Sequence, residues 1–237
     1  MTTNGITRTA QPELGLILLL TVLPIPAVWY GLYVLHSALM ALLLYHFFCL
    51  MPGIIYGMPM WRAGLKRPTL IECGLLGIAS VTFCGAALLL YNYMGDYLLS
   101  SQNTHKLLVQ VGYNTTIFVP LSLYFIVGNS TMEELFWRGV VMTRLEELRP
   151  RSRHFGIVYS SVAYALFHYP IMRLVLYPGW AEFGTLMLVG HGAILAMIYK
   201  RTKSIVLPIL VHALLADLTA IVLIFALFRR LGLQSPM

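Results

Sequence analysis

No formally charged residue occurs between Leu14 and Trp61. At about 1.5 Å per helical residue, that stretch is more than twice the roughly 30 Å of hydrocarbon in a bilayer. It reads as two membrane helices with a tight connection, expected near Trp29 to Tyr33. Pro24 and Pro26 should kink the first, because each lacks a backbone N–H. Further apolar runs extend from about Leu70 to Met94, from Leu107 through Pro120, after which the polar step 128–131 is expected to interrupt the helix, from Phe155 to Leu174, from Glu182 to Tyr199 and from Ser204 to Phe228. The expected fold is all-α: a polytopic transmembrane helix bundle of about seven to eight spans with a buried polar cavity. It forms a single transmembrane domain, 1–237, whose chemistry-bearing core covers about 107–228.

Composition closes the other routes. Hydrophobic positions make up 59% of the 237 residues and charged ones 11%, against about 25% charge in an ordinary soluble domain. The net charge of +7 comes from basic residues gathered at the ends of apolar runs, where they set orientation rather than bind nucleic acid. If the Arg62 to Arg67 loop is cytoplasmic, the Arg144 to Arg153 and Lys200 to Lys203 loops share its side, and Arg229 and Arg230 fall opposite. Cys49, Cys73 and Cys84 sit singly in apolar runs, so they read as packing residues rather than as a disulfide or zinc framework. The first apolar run lacks a small-residue cleavage site and is expected to remain as a helix. A multi-pass protein of a bacterial inner membrane is the localisation this composition suggests.

Ionisable residues inside such helices are functional candidates, because each costs about 2.5 to 3.5 kcal/mol near the bilayer centre. They are Glu133, Glu134, Arg138, His168, His191, His212 and Asp217, with His36 and His46 earlier in the chain. Glu133 lies eleven residues from Arg144, His168 thirteen from Phe155, His191 nine from Lys200 and His212 eight from Ser204. Those spacings correspond to depths of about 16, 20, 14 and 12 Å from one face, so four helices present titratable groups at one level. Glu134 and Arg138, four residues apart, share a helix face and can pair, while Glu133 points about 100° away and remains available.

A carboxylate and an imidazole within reach of one water can divide the base and acid steps of a hydrolysis. Competing readings are structural. Ser130 followed by Glu133 fits a capping box; His36 and His46 read as core or interface histidines; His191, between Gly190 and Gly192, as helix packing; Glu146 and Glu147 as a solvated face. The sequons at Asn114 and Asn129 read as accidental. None of these explains the shared depth of Glu133, His168 and His212.

Three stretches resemble the motifs of the CAAX-prenyl-protease and bacteriocin-processing (Abi) family. They are E-E-L-F-W-R-G at 133–139, Y-A-L-F-H at 164–168, and the run from Lys200 to Ala213 that ends in V-H-A. The resemblance implies an intramembrane glutamate-dependent endopeptidase, a cavity open to the cytoplasmic side, and a protein or peptide substrate at the lipid bilayer. It implies no cofactor and no metal. Carried onto this chain, Glu133 and His168 would activate water, His212 would help stabilise the oxyanion, and Glu134, Arg138 and Asp217 would support the site.

The family's Asn or Asp four residues after its last histidine falls here on Ala216, and Asp217 is the fifth. Either a local bulge restores Asp217 or another donor completes the oxyanion hole, with Asn114 and His191 as candidates. Two alternatives remain at this stage: a zinc-dependent membrane protease using Glu133, His168 and His212 as ligands, and a non-catalytic immunity factor or proton-coupled transporter.

Overall fold

The computed structural model describes residues 6–62, 64–110, 117–149, 152 and 154–231, with the side chains of 6–12 and 58–62 outside that description. Every regular element among them is helical. Six helices are long and apolar enough to cross a membrane: Glu13–Val34, Ala38–Gly57, Leu70–Leu98, Phe155–Val175, Trp180–Thr202 and Val206–Arg230. A further continuous helix, 118–148, is long enough but carries the buried carboxylates. The expected all-α polytopic bundle is therefore present, with six apolar spans and one polar traverse among the described residues.

Charge sorts the two ends of the bundle. At one end Arg144 pairs with Glu13 at 3.2 Å and Lys200 with Glu146 at 2.7 Å. There the loop after residue 62 is latched to the loop before helix 206–230, with Ser204 Oγ donating to the Lys66 carbonyl at 2.6 Å and Ile205 N to the Gly64 carbonyl at 2.8 Å. At the opposite end Arg230 pairs with Asp96 at 2.6 Å, and Tyr177 N donates to the Leu98 carbonyl at 2.9 Å. Arg151 and Arg153 lie outside the described residues. Glu146 and Glu147 take part in surface pairs with Lys200 and Arg144.

Several details differ from the sequence reading. The first connection falls at Leu35 to Ser37, later than Trp29 to Tyr33. Ser37 adopts an extended backbone and its Oγ accepts from Met40 N at 3.2 Å, so the start signal of the second helix is this cap. Gly31 does not break the first helix; it lets the second approach, since a Cβ there would overlap the Ala41 backbone. His36, in the turn with φ +48°, is exposed rather than a core histidine. Of the expected segment from Leu107 through Pro120, residues 111–116 lie outside the description; Ser101–Gln110 is helical before them, Ile117 is a turn, and the traverse begins at Phe118. The polar step 128–131 does not interrupt that traverse, because Phe125–Asn129 continues it with π-type, i to i+5, hydrogen bonding. Cys73 is exposed on helix 70–98 instead of packed, while Cys49 is buried.

The traverse 118–148 occupies the centre. Phe136, Trp137, Arg138, Val140, Val141 and Leu145 are all buried. Between helices in lipid, close van der Waals packing and internal hydrogen bonds supply the association, not burial from water. Gly53 and Gly57 form the groove that receives Phe136 and Val140, and a Cβ at either glycine would overlap those side chains. On the other side Trp137 stacks on Phe167 with centroids 5.8 Å apart and planes 3° from parallel, while its indole N–H donates to Tyr45 Oη at 3.2 Å. These contacts lock the rotation of the traverse and so decide which of its side chains face helices 155–175 and 206–230.

Candidate active site

Helix rotation puts Glu133, Glu134 and Arg138 on the inward side, each almost fully buried. Arg138 Nη1 donates to Glu134 Oε1 at 2.7 Å, the pair that the four-residue spacing predicts. Its Nη2 donates to the Gly192 carbonyl at 3.2 Å, and its guanidinium carbon lies 4.7 Å from the Tyr164 ring centroid. Arg138 thus ties the traverse to helices 180–202 and 155–175, and it is paired, hydrogen-bonded and stacked as a buried cation requires.

His212, also buried, closes the other side of the pair. Its Nδ1 donates to Glu134 Oε1 at 2.8 Å, which directs Nε2 to the remaining groups. Glu133 Oε2 and Asp217 Oδ1 each lie 3.6 Å from Nε2, and Tyr164 Oη lies 3.4 Å away. With Nδ1 protonated, Nε2 is the basic nitrogen: neutral, it accepts from Tyr164; protonated, it faces two carboxylates. Glu134 therefore orients the ring, and Glu133 stands across from its reactive nitrogen. Glu133 Oε2 is buried and makes no hydrogen bond to the protein among the described residues. It does not act as the acid of a capping box, because Ser130 is interior to the continuous helix and its Oγ donates back to the Ile126 carbonyl at 2.6 Å.

Asp217 reaches the site because 212–217 is wound as a π segment. In an α-helix at about 100° per residue, the fifth residue would sit roughly 140° round from the first. The wider π turn removes most of that rotation, and Asp217 stands beside His212. The local bulge that the sequence left open is therefore present at 212–217. Asp217 does not act as a donor here: its Oδ2 accepts from Ser130 Oγ at 3.0 Å and Asn129 Nδ2 at 3.4 Å.

His168 lies on the far side of Tyr164, whose ring is 4.7 Å from His168 and 5.9 Å from His212. Its Nδ1 donates to the Tyr164 carbonyl at 2.9 Å, leaving Nε2 as an unprotonated acceptor. The ring also packs 4.0 Å from Phe167. The imidazole nearest Glu133 is thus His212, and no direct contact joins Glu133 to His168. His191 approaches His212 with ring centroids 5.9 Å apart, and its Nε2 is buried without a hydrogen bond to the protein. Asn114 lies outside the described residues. His46 is buried beside Asn129, its Nδ1 donating to the Leu42 carbonyl at 2.8 Å.

Reading only the ionisable residues missed Tyr164, Asn129 and Ser130. All three are polar groups in apolar runs, so the same burial argument extended to hydroxyls and amides would have found them. Among the described residues, no group of three His, Cys, Asp or Glu side chains is arranged to hold a metal ion.

The segment that holds these groups also carries the comparison. Residues 115–216, a little under half of the chain, match the family model described as type II CAAX prenyl endopeptidase Rce1-like. No curated protein matches the chain, and no solved structure does. Over the segment that bears Glu133, His168 and His212 the chain is thus similar to the Rce1-like CAAX endopeptidases, and it joins that likeness to six helices of membrane length.

Proposed function

We propose that the chain is a glutamate-dependent intramembrane endopeptidase in which Glu133 activates water. The observation that carries this reading is a buried carboxylate oxygen, Glu133 Oε2, held 3.6 Å from His212 Nε2 with no protein hydrogen bond of its own. A carboxylate oxygen left without a donor in a membrane interior is costly, and an incoming water supplies the missing donor.

In the proposed cycle, a water gives a proton to Glu133 as its oxygen bonds to the scissile carbonyl carbon, and His168 Nε2 accepts the water's second hydrogen in a hydrogen bond. The tetrahedral oxyanion takes a hydrogen bond from protonated His212 Nε2, whose Nδ1 is held by Glu134 at 2.8 Å. The C–N bond then breaks, and Glu133 returns its proton to the leaving amine. Arg138 supports the arrangement by balancing Glu134. The substrate we propose is a membrane-associated peptide, taken in from the basic end of the bundle, which we assign to the cytoplasmic side of a cell membrane.

The test uses purified protein in lipid nanodiscs and a fluorescence-quenched peptide ending in Cys-a-a-X with its cysteine farnesylated, the substrate form that the family's description names. Cleavage by the unaltered protein, lost in Glu133→Gln while the variant stays inserted and folded, supports the reading. Turnover retained by Glu133→Gln refutes the mechanism. Cleavage of the unprenylated peptide at the same rate would remove the lipid from substrate recognition.

A further inference from the structure

Two widened helical segments meet behind His212. One is Phe125–Asn129 on the traverse and the other is His212–Asp217. Each ends on a polar side chain, and the two ends touch. Asn129 and Ser130 are buried, at 4% and 0% exposure, and both donate to the same oxygen of Asp217. Ser130 has a single hydroxyl hydrogen, shared between that oxygen at 3.0 Å and the Ile126 carbonyl at 2.6 Å, so Asn129 Nδ2 is the undivided donor to Oδ2. With Oδ2 taken, the remaining oxygen, Oδ1, is the one that faces His212 Nε2 at 3.6 Å.

We propose that Asn129 and Ser130 are positioning residues: by clasping Oδ2 of Asp217 they fix the rotation of that carboxylate, aim its free oxygen at His212, and hold two π-wound helices in the register on which a five-residue His–Asp spacing depends. The proposal rests on the hydrolytic reading above and deepens it. Three groups otherwise compete for Nε2, namely Glu133, Asp217 and Tyr164. An unclasped Asp217 is free to turn, and the imidazole then has no fixed partner on that side. Neither residue touches the reacting atoms, so each acts through Asp217 and His212. A carboxamide facing a carboxylate also explains why the buried pair is Asn–Asp and not Asp–Asp, since two carboxylates at that distance in lipid would repel.

The experiment compares Asn129→Ala, Asn129→Asp, Asp217→Asn and the exchanged pair Asn129→Asp/Asp217→Asn, all in nanodiscs with the farnesylated Cys-a-a-X probe. Asn129→Ala should lower kcat about ten-fold or more with KM within about two-fold, because the loss lies in the reacting geometry and not in substrate binding. Asn129→Asp should be worse still. The exchanged pair restores one donor and one acceptor but leaves no carboxylate at 217 to face His212, so it should be no more active than Asp217→Asn. An unchanged kcat in Asn129→Ala, or an exchanged pair as active as the unaltered protein, overturns the clasp. Should the unaltered protein leave the probe uncut, that result counts against the hydrolytic reading alone. The clasp is then judged by melting temperatures of Asn129→Ala, Asp217→Ala and the double variant. A double variant that melts no lower than the worse single supports it, and shifts that simply add overturn it.

Discussion

Replacing Arg138 by methionine isolates the structural half of the site. Methionine keeps an unbranched apolar stem and removes the cation, its 2.7 Å bond to Glu134, its 3.2 Å bond to the Gly192 carbonyl and its stacking on Tyr164. Removing one partner of a buried ion pair costs about 3–5 kcal/mol, because the surviving charge is left uncompensated. Glu134 retains one strong contact, His212 Nδ1 at 2.8 Å, so the expected loss lies near the lower end, about 3 kcal/mol. The lost bond at the Gly192 carbonyl is part of that figure. Glu134→Gln/Arg138→Met removes the stranded charge as well and should regain about half of the loss by the same reasoning. Unfolding by sodium dodecyl sulfate, followed through the fluorescence of the chain's four tryptophans, measures both variants. Arg138→Met within about 1 kcal/mol of the unaltered protein, or a double variant no more stable than the single, would refute the view that Arg138 compensates a buried Glu134 carboxylate.

Other outcomes follow from the same geometry. Gly57→Ala should destabilise by about 1–3 kcal/mol in the same unfolding assay, since the added methyl must displace Val140 on the central traverse. Gly77→Ala, whose Cβ would meet nothing within 4 Å, should be neutral or slightly stabilising; equal effects of the two would mean that helix propensity, not helix approach, governs. Turnover of the farnesylated probe should be unchanged by a strong chelator, and its loss with recovery on adding zinc would transfer the reaction to the metal-dependent alternative.

Much of this arrangement was legible from residue spacing. The four-residue step from Glu134 to Arg138 implied their pairing, and the depth of Glu133, His168, His191 and His212 implied one shared level. What spacing could not carry was the winding of the helices themselves. A π turn has no compositional signature, since it exchanges one hydrogen-bond register for another at nearly the same residue content. The Ala216 to Asp217 offset therefore looked like a departure from the motif, when the backbone around it compensates. The same blindness made the polar step at Asn129 and Ser130 look like a break. Which imidazole stands next to Glu133 was also hidden: depth along a helix does not report the ring of Tyr164 inserted between His168 and His212. The first connection was misplaced because the length of the uncharged run does not fix where it divides; the cap at Ser37 does.

The outward-facing thiol of Cys73 has a practical value unrelated to chemistry at the site. It stands one turn into helix 70–98, just past the Thr69 cap, while Cys49 is enclosed and Cys84 lies against Thr219 at 3.1 Å. Helix 70–98 is of membrane length, so this thiol faces lipid near one end of the bundle, and a lipid-soluble thiol reagent should label it ahead of Cys49 and Cys84 without any residue being changed.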